Sequence, residues 1–182
     1  MKKVKKVLAM VMSFALILGA TIPAQAATTE VEIEIKETTM DGVSVTIPSK
    51  LPIVFEEDGT NTIPTNWTIE NQSIIAGIHL AKVEWHAGDT SWKVLSSDYD
   101  VKSMPVDSLA LQFLVGLEGS EKFIEPLDGD RNPDGEVLFE ANEITIPSGE
   151  TKVLSFDVNR GAFTQAMEAS RAFDLLFEFQ FN

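Results

Sequence analysis

Apolar and polar side chains alternate with period two along most of this chain. The alternation begins at Val31, Ile33 and Ile35, which are separated by charged residues, and it ends in residues 173–181. Successive side chains of a β-strand point to opposite faces, so this pattern is typical of strands with one buried face. Turn residues separate the alternating runs. The pattern predicts roughly nine or ten short strands, drawn from eleven candidate runs at residues 31–36, 43–47, 51–55, 66–71, 78–85, 92–95, 109–117, 136–139, 144–146, 153–158 and 173–181.

Many short strands joined by turns predict an all-β fold. We expect a single antiparallel β-sandwich, immunoglobulin-like or jelly-roll, over residues 27–182. No repeat of fixed period and no Ser/Gly-rich or Pro-rich linker divides this range. Only residues 162–172 have helical spacing, with Phe163, Ala166 and Met167 on one face. They predict one short helix near the C-terminus, and the alternative is a loop.

The first 26 residues have the three parts of a secretory signal peptide. Four lysines precede residue 7, residues 7–20 are apolar and uncharged, and residues 24–26 (AQA) match the small-x-small cleavage pattern. The alternative is a membrane anchor, but the apolar run is shorter than the ~20 residues that span a bilayer. We therefore expect a signal peptide at 1–26 and a mature protein that is secreted or held at the cell surface, with no membrane association after cleavage.

The charge of the chain argues against nucleic acid as a partner. The formal net charge is −14, and all 28 acidic residues follow residue 26 whereas four of the 14 basic residues precede it, so the mature chain would carry −18. Nucleic-acid binding requires a basic surface that displaces counterions.

The chain also has no cysteine, so its stability must come from packing, a bound ion or assembly rather than from disulfides.

No catalytic signature is present, and we expect a protein that is not an enzyme. The chain contains neither G-x-S-x-G nor HExxH. Its two histidines, His79 and His86, are seven residues apart on one predicted strand, so they should face opposite sides and could share a metal only across a bulge. We expect both at the surface.

One acidic segment could hold calcium. Asp128, Asp130, Asn132 and Asp134 fall at every second position, and an open loop could direct their oxygen atoms towards one ion. The order is not that of an EF-hand, because the twelfth position is Phe139 instead of a bidentate acid. The alternative is an ordinary tight turn, which the N-P-D-G sequence favours.

Three tryptophans allow a second functional interpretation. Trp67, Trp85 and Trp92 could form stacking platforms of a carbohydrate-binding module, and Trp85 and Trp92 flank one predicted hairpin. The alternative is that all three fill the core, as tryptophans at alternating positions commonly do.

Two stretches resemble immunoglobulin-like sandwich modules of bacterial surfaces. Residues 66–73 (NWTIENQS) look like the strand ending in N-x-S that opens such modules, and residues 146–156 (IPSGETKVLSF) are similar to their P-x-G-E turn and strand. More loosely, the chain resembles exported bacterial matrix and surface-fibre proteins of the camelysin and TasA type. The resemblance implies a non-enzymatic surface or extracellular-matrix protein, acting as a structural or interaction module.

The first predicted strand of the mature chain suggests a route to assembly. Val31, Ile33 and Ile35 form an apolar face that signal cleavage would place close to a free N-terminus. If this strand pairs with its own domain the protein is a monomer, whereas pairing with the next subunit produces a filament. Both possibilities are open at this point.

The signal-peptide prediction is checked directly on the exported protein. Mass spectrometry of culture medium should find a mature N-terminus at Ala27, because the cleavage pattern ends at Ala26. An intact chain retained in the membrane fraction would contradict it.

Overall fold

Two antiparallel-rich β-sheets bury their apolar faces against each other in the computed structural model, which describes residues 29–38, 45–56, 59–88, 91–129, 131–164 and 170–182. The all-β sandwich predicted from the alternation is confirmed. A short 3-10 helix lies at Val101–Ser103. In chain order, the strands of the described residues are β1 (Thr29–Thr38), β2 (Val45–Thr46), β3 (Lys50–Phe55), β4 (Asn61–Thr62), β5 (Trp67–Asn71), β6 (Ile78–Ala87), β7 (Lys93–Leu95), β8 (Ala110–Gly116), β9 (Lys122–Phe123), β10 (Glu125–Pro126), β11 (Arg131–Asn132), β12 (Gly135–Leu138), β13 (Thr145–Ile146), β14 (Thr151–Arg160) and β15 (Ser170–Phe181).

The strand order places the first and last strands of the described residues inside one sheet. The first sheet runs β10-β12-β6-β15-β1-β3-β4, with β13 also paired to β6. The second sheet runs β11-β7-β8-β14-β5-β2, with β9 also paired to β8. Neighbouring strands are antiparallel except for β1 with β15 and β7 with β8, which are parallel. The N-terminal and C-terminal strands are therefore neighbours in the middle of the first sheet.

Aromatic residues link the two sheets through the core. Phe173 and Phe177 alternate along β15 and are fully buried, as is Trp85 on the neighbouring β6. The Trp85 ring lies 5.1 Å from the ring of Phe113, on β8 of the second sheet. Aromatic side chains bury more area than other residues and gain further from tilted or edge contacts, so this cluster holds the two sheets together without disulfides.

The predicted C-terminal helix is not seen. Of residues 162–172, those at 162–164 have no regular structure and those at 170–172 begin β15; residues 165–169 lie outside the described residues. The last three residues of the predicted helix, 170–172, instead form the start of β15, which pairs with β1.

The two histidines do not lie as predicted. His79 and His86 pair with Gln180 and Asp174 on β15, positions of the same parity, because the register shifts by one residue between them. That β-bulge puts both histidines on one face of the sheet, about 20 Å apart along the strand. His79 is also buried, with its Nδ1 atom 3.0 Å from the Oδ1 atom of Asn182, while His86 is partly exposed.

A buried asparagine joins β5 to the loop that follows it. The side chain of Asn71 is completely buried. Its Nδ2 atom donates to the carbonyl oxygens of Ala76 (3.0 Å), Ile146 (3.0 Å) and Pro147 (3.2 Å), and its Oδ1 atom accepts from the backbone N–H of Ser73 (3.0 Å). One side chain therefore satisfies four backbone groups from two chain segments.

The backbone of Asn71 holds the turn between β13 and β14. Its N–H donates to the carbonyl of Glu150, and its carbonyl accepts from Gly149, each at 2.9 Å. Within the turn the Glu150 N–H donates to the carbonyl of Pro147, and Gly149 has φ +71°, which glycine adopts without strain. The two stretches singled out in the sequence, 66–73 and 146–156, are thus in direct contact.

Replacing Asn71 should destabilise the fold strongly. Asn71→Ala removes the buried Nδ2 donor that the carbonyls of Ala76, Ile146 and Pro147 share, and we expect a loss of about 2–4 kcal/mol in the free energy of unfolding. Asn71→Asp should be at least as harmful, because it places a carboxylate against the same carbonyl oxygens. The measurement is urea denaturation followed by tryptophan fluorescence.

Asn66→Ala is the matched control, because Asn66 is exposed and precedes the same strand. It should change the free energy of unfolding by less than about 0.5 kcal/mol. Equal effects at residues 66 and 71 would contradict the role given to Asn71.

Candidate functional site

The position of β1 between β15 and β3, called the β1 slot below, is the feature of the fold that most directly suggests a function. Val31 to Thr38 pair in parallel with β15, and Thr29 to Glu34 pair antiparallel with β3. The side chain of Ile33 is fully buried in the core. The N-terminal strand therefore fills an internal position of the sheet, hydrogen-bonded along both of its edges.

Among the described residues, β1 is also the only strand that connects β3 and β4 to the rest of the first sheet. The strand order places β3 between β1 and β4, and β4 is two residues long. Withdrawal of β1 would leave facing edges on β3 and β15 with unpaired N–H and C=O groups. Such a gap accepts an extended strand.

Of the three apolar residues predicted to mediate assembly, the structure describes the side chain of Ile33. The backbone of Val31 pairs with Ser170 and Ile53, and the backbone of Ile35 pairs with Leu175. In the structure this strand pairs within its own chain.

The outer edges of both sheets are short. The terminal strands β10 and β4 of the first sheet and β11 and β2 of the second contain two residues each. Short edge strands are one way in which proteins prevent edge-to-edge association. The long strands of this fold are internal, and β1 is one of them.

The three tryptophans offer no exposed stacking surface. Trp67, Trp85 and Trp92 are 3%, 0% and 1% exposed and pack against phenylalanines. The predicted hairpin is also wrong, since Trp85 lies on β6 of the first sheet and Trp92 immediately precedes β7 of the second. The residues thus follow the alternative interpretation, in which they fill the interior.

The proposed calcium segment forms a connection between the two sheets. Asn132 belongs to β11 and pairs through its backbone with Val94. The Asp134 carboxylate lies 3.4 Å from both the Ala87 backbone nitrogen and the Nδ1 atom of His86. Asp128 lies in the described part of the segment, and Asp130 is outside it. Among the described residues, no group of three or more His, Cys, Asp or Glu side chains is arranged to hold a metal ion.

The outer face of the first sheet carries a small charged network. The Lys82 ammonium contacts Glu84 at 2.5 Å and Glu178 at 3.4 Å, and the Glu84 carboxylate also contacts His86 at 3.2 Å. The hydrogen bond to Lys82 lowers the pKa of Glu84, and the same bond raises the pKa of Lys82. Both groups are held in their charged forms at neutral pH. A general acid needs a raised carboxyl pKa instead.

Two further carboxyl groups in the described ranges also have lowered pKa values. A hydrogen bond from Lys122 is the main cause of the lowered pKa at Glu143, and a hydrogen bond from Ser155 is the main cause at Glu121. Both groups therefore contribute fixed negative charge to the surface at neutral pH.

A groove on the second sheet was not anticipated from the sequence. It has a volume of about 360 Å³ and lies along β14, beside the segment that leads from β4 into β5. No sequence signal marks it, because it forms where β5 and β14 stop pairing, and that point depends on the tertiary fold.

An exposed apolar pair lies in the loop between β5 and β6. Ile74 and Ile75 are 91% and 78% exposed, in a loop anchored by the Asn71 side chain.

In the described part of the chain, no helix is long and apolar enough to cross a membrane.

Comparison of the chain with protein-family models, with curated proteins and with solved structures gives no match.

The calcium hypothesis is tested by thermal unfolding. If Asp128, Asp130 and Asp134 bind calcium, EDTA should lower the melting temperature, and Asp130→Ala should abolish that response, because an ion that binds only the folded state stabilises it. A melting temperature that EDTA does not change would identify these residues as a turn.

Proposed function

We propose that this chain is an exported, non-enzymatic bacterial surface or extracellular-matrix protein that acts as a structural module and associates with copies of itself by exchanging β1. The observation that carries the proposal is the position of β1, which is N-terminal in sequence yet internal in the sheet. The predicted signal peptide and the resemblance to exported matrix proteins support the location outside the cell.

Exchange conserves the contacts that β1 makes. In a domain-swapped assembly, the same ladders form between subunits as within the monomer, so the enthalpy changes little and protein concentration decides the balance. Residues 39–44 connect β1 to β2 and include Gly42. This connection would have to change direction when β1 enters a neighbour.

The ladder between β1 and β15 is distant in sequence. Ile33 pairs with Phe173, about 140 residues further along the chain. Contacts of such separation form late, because loop closure costs entropy before the contact is gained. Newly exported chains would therefore expose the slot for a time during which a neighbouring β1 can enter it.

The exchange is directional. Each subunit gives one β1 and receives one, and the donated strand and the slot are different surfaces. Such a heterologous contact produces an open filament unless its rotation closes a ring. The two-residue edge strands support this route over simple edge addition, which requires long exposed edges.

The carbohydrate-binding alternative has no supporting observation, since it depends on exposed Trp67, Trp85 and Trp92 and all three are buried.

The test uses the mature chain and a disulfide that locks β1 in its own subunit. Glu30 and Val54 are paired positions on β1 and β3, and Glu30→Cys with Val54→Cys should form a single disulfide because the chain has no other cysteine. The wild type should form filaments as concentration rises, seen by electron microscopy and light scattering. The oxidised double variant should remain monomeric, and reductant should restore assembly.

The control is the Glu30→Ser, Val54→Ser variant, which should assemble like the wild type under both conditions. Deletion of residues 27–36 gives a second readout: the truncated domain should not polymerise alone, and a peptide of residues 27–38 should bind it and cap wild-type growth. A wild type that is monomeric at all concentrations, or filaments that grow equally well from the oxidised variant, would rule out the exchange.

A further inference from the structure

The groove on the second sheet lies where a β-ladder ends early. Pairing of β14 with β5 stops at Leu154, opposite Trp67, whereas pairing of β14 with β8 continues to Arg160. Beyond Leu154, one side of β14 has no strand partner among the described residues. The residues that line the groove are Asn61, Ile63, Pro64, Thr65, Glu118 and Val153 to Asp157.

The direction of each backbone group on β14 follows from the ladders. In an antiparallel pair, the N–H and C=O of one residue point to the same neighbouring strand, and those of the next residue point to the other. The Phe113 carbonyl accepts from Ile124, away from β14, so the residues of β8 that face β14 are Gln112, Leu114 and Gly116. Their partners on β14 have odd numbers, and the even-numbered residues of β14 face the β5 side.

Two even-numbered residues lie beyond the end of the ladder with β5, and they differ. The Val158 carbonyl accepts from Asn61 Nδ2 at 2.7 Å, and its N–H donates to Asp157 Oδ1 at 2.8 Å. Side chains thus complete both backbone groups of Val158. Phe156 lies in the gap between Val158 and the last paired residue, Leu154, and has no strand partner on this side.

The gap has the length of a short peptide segment. Leu154 and Val158 are four residues apart, or about 13 Å along a strand. An extended segment of roughly three residues fits there and can exchange two hydrogen bonds with Phe156, as the next position of a ladder would.

The charges at the groove determine which segment fits. Glu118 and Asp157 line it and are exposed. The carboxylate of Glu121 accepts a hydrogen bond from Ser155, another lining residue, and its lowered pKa keeps it charged. Lysine or arginine side chains on an incoming strand would be attracted to these acids.

We propose that this groove binds an extended segment of a basic polypeptide, which adds to β14 at Phe156. The β1 strand of a second copy does not suit the groove, because residues 30–37 contain four glutamates and one lysine. This site lies on the other sheet from the β1 slot and does not depend on strand exchange.

Binding is measured by fluorescence anisotropy with labelled hexapeptides and the mature protein. The peptide Val-Lys-Val-Lys-Val-Lys should bind saturably, and Val-Glu-Val-Glu-Val-Glu should not. A peptide of the same sequence that is N-methylated at every backbone nitrogen should bind at least tenfold more weakly, because it cannot donate backbone hydrogen bonds. Equal affinity of the methylated and unmethylated peptides would contradict ladder pairing.

Charge variants separate this groove from general attraction to an acidic protein. Glu118→Gln with Asp157→Asn should weaken the lysine peptide at least tenfold, and the asparagine keeps an oxygen for the Val158 N–H. Asp98→Asn with Glu140→Gln removes the same charge from exposed residues elsewhere and should weaken binding less than twofold. Equal losses in both variants would overturn the proposal.

Amide hydrogen exchange by NMR locates the contact on the backbone. Binding of the lysine peptide should slow exchange of the Phe156 amide at least tenfold. The amides of Ser155 and Asp157 point towards β8 and should not change. Peptide binding that leaves the Phe156 amide unaffected would place the contact elsewhere and overturn the proposal.

Discussion

The parallel pairing of β1 with β15 is the interaction on which the first sheet depends. It brings the N-terminal strand beside the C-terminal strand, and through β1 it attaches β3 and β4 to the remaining strands. In the described part of that sheet, no other strand pairing connects β3 to β15. A chain built in this way has its least local contact at its centre, so the last strand to be placed completes the core around Ile33. The proposed exchange between copies would conserve the same two ladders.

Hydrogen bonds from a few buried polar side chains replace disulfides in this cysteine-free protein. Asn71 joins the end of β5 to the loop after it and to the turn before β14. Arg160 has a comparable role at the opposite end of β14, where its guanidinium donates to the carbonyl of Glu56 and lies over the ring of Phe55. Each residue connects segments far apart in sequence. Such hydrogen bonds contribute most to the free energy of folding when their loss would leave a buried carbonyl without a donor.

The negative charge of the chain favours basic partners, and the unpaired backbone of β14 would favour those that are extended. The acids with lowered pKa values, Glu84, Glu121 and Glu143, stay ionised because each accepts a hydrogen bond from a neighbouring side chain. Charge alone would attract any cation. The interrupted ladder at Phe156 adds a directional requirement, since a partner there must be an extended chain. The two proposed sites would therefore differ in chemistry: the β1 slot would accept an amphipathic strand such as β1, and the groove a basic one.

Period-two alternation determined which residues form strands and which face of each strand is buried, because the two faces of a pleated strand meet different solvents. The long strands, the all-β fold and the burial of Ile33 followed from it. Alternation carries no information on which strands become neighbours. Pairing of β1 with β15, the separation of Trp85 and Trp92 onto different sheets, and the bulge that brings His79 and His86 to one face were decided by tertiary packing. The groove at Phe156 belongs to the same class, since it exists only because β5 leaves β14 at Trp67. These features depend on contacts between distant segments, and a local pattern cannot encode them.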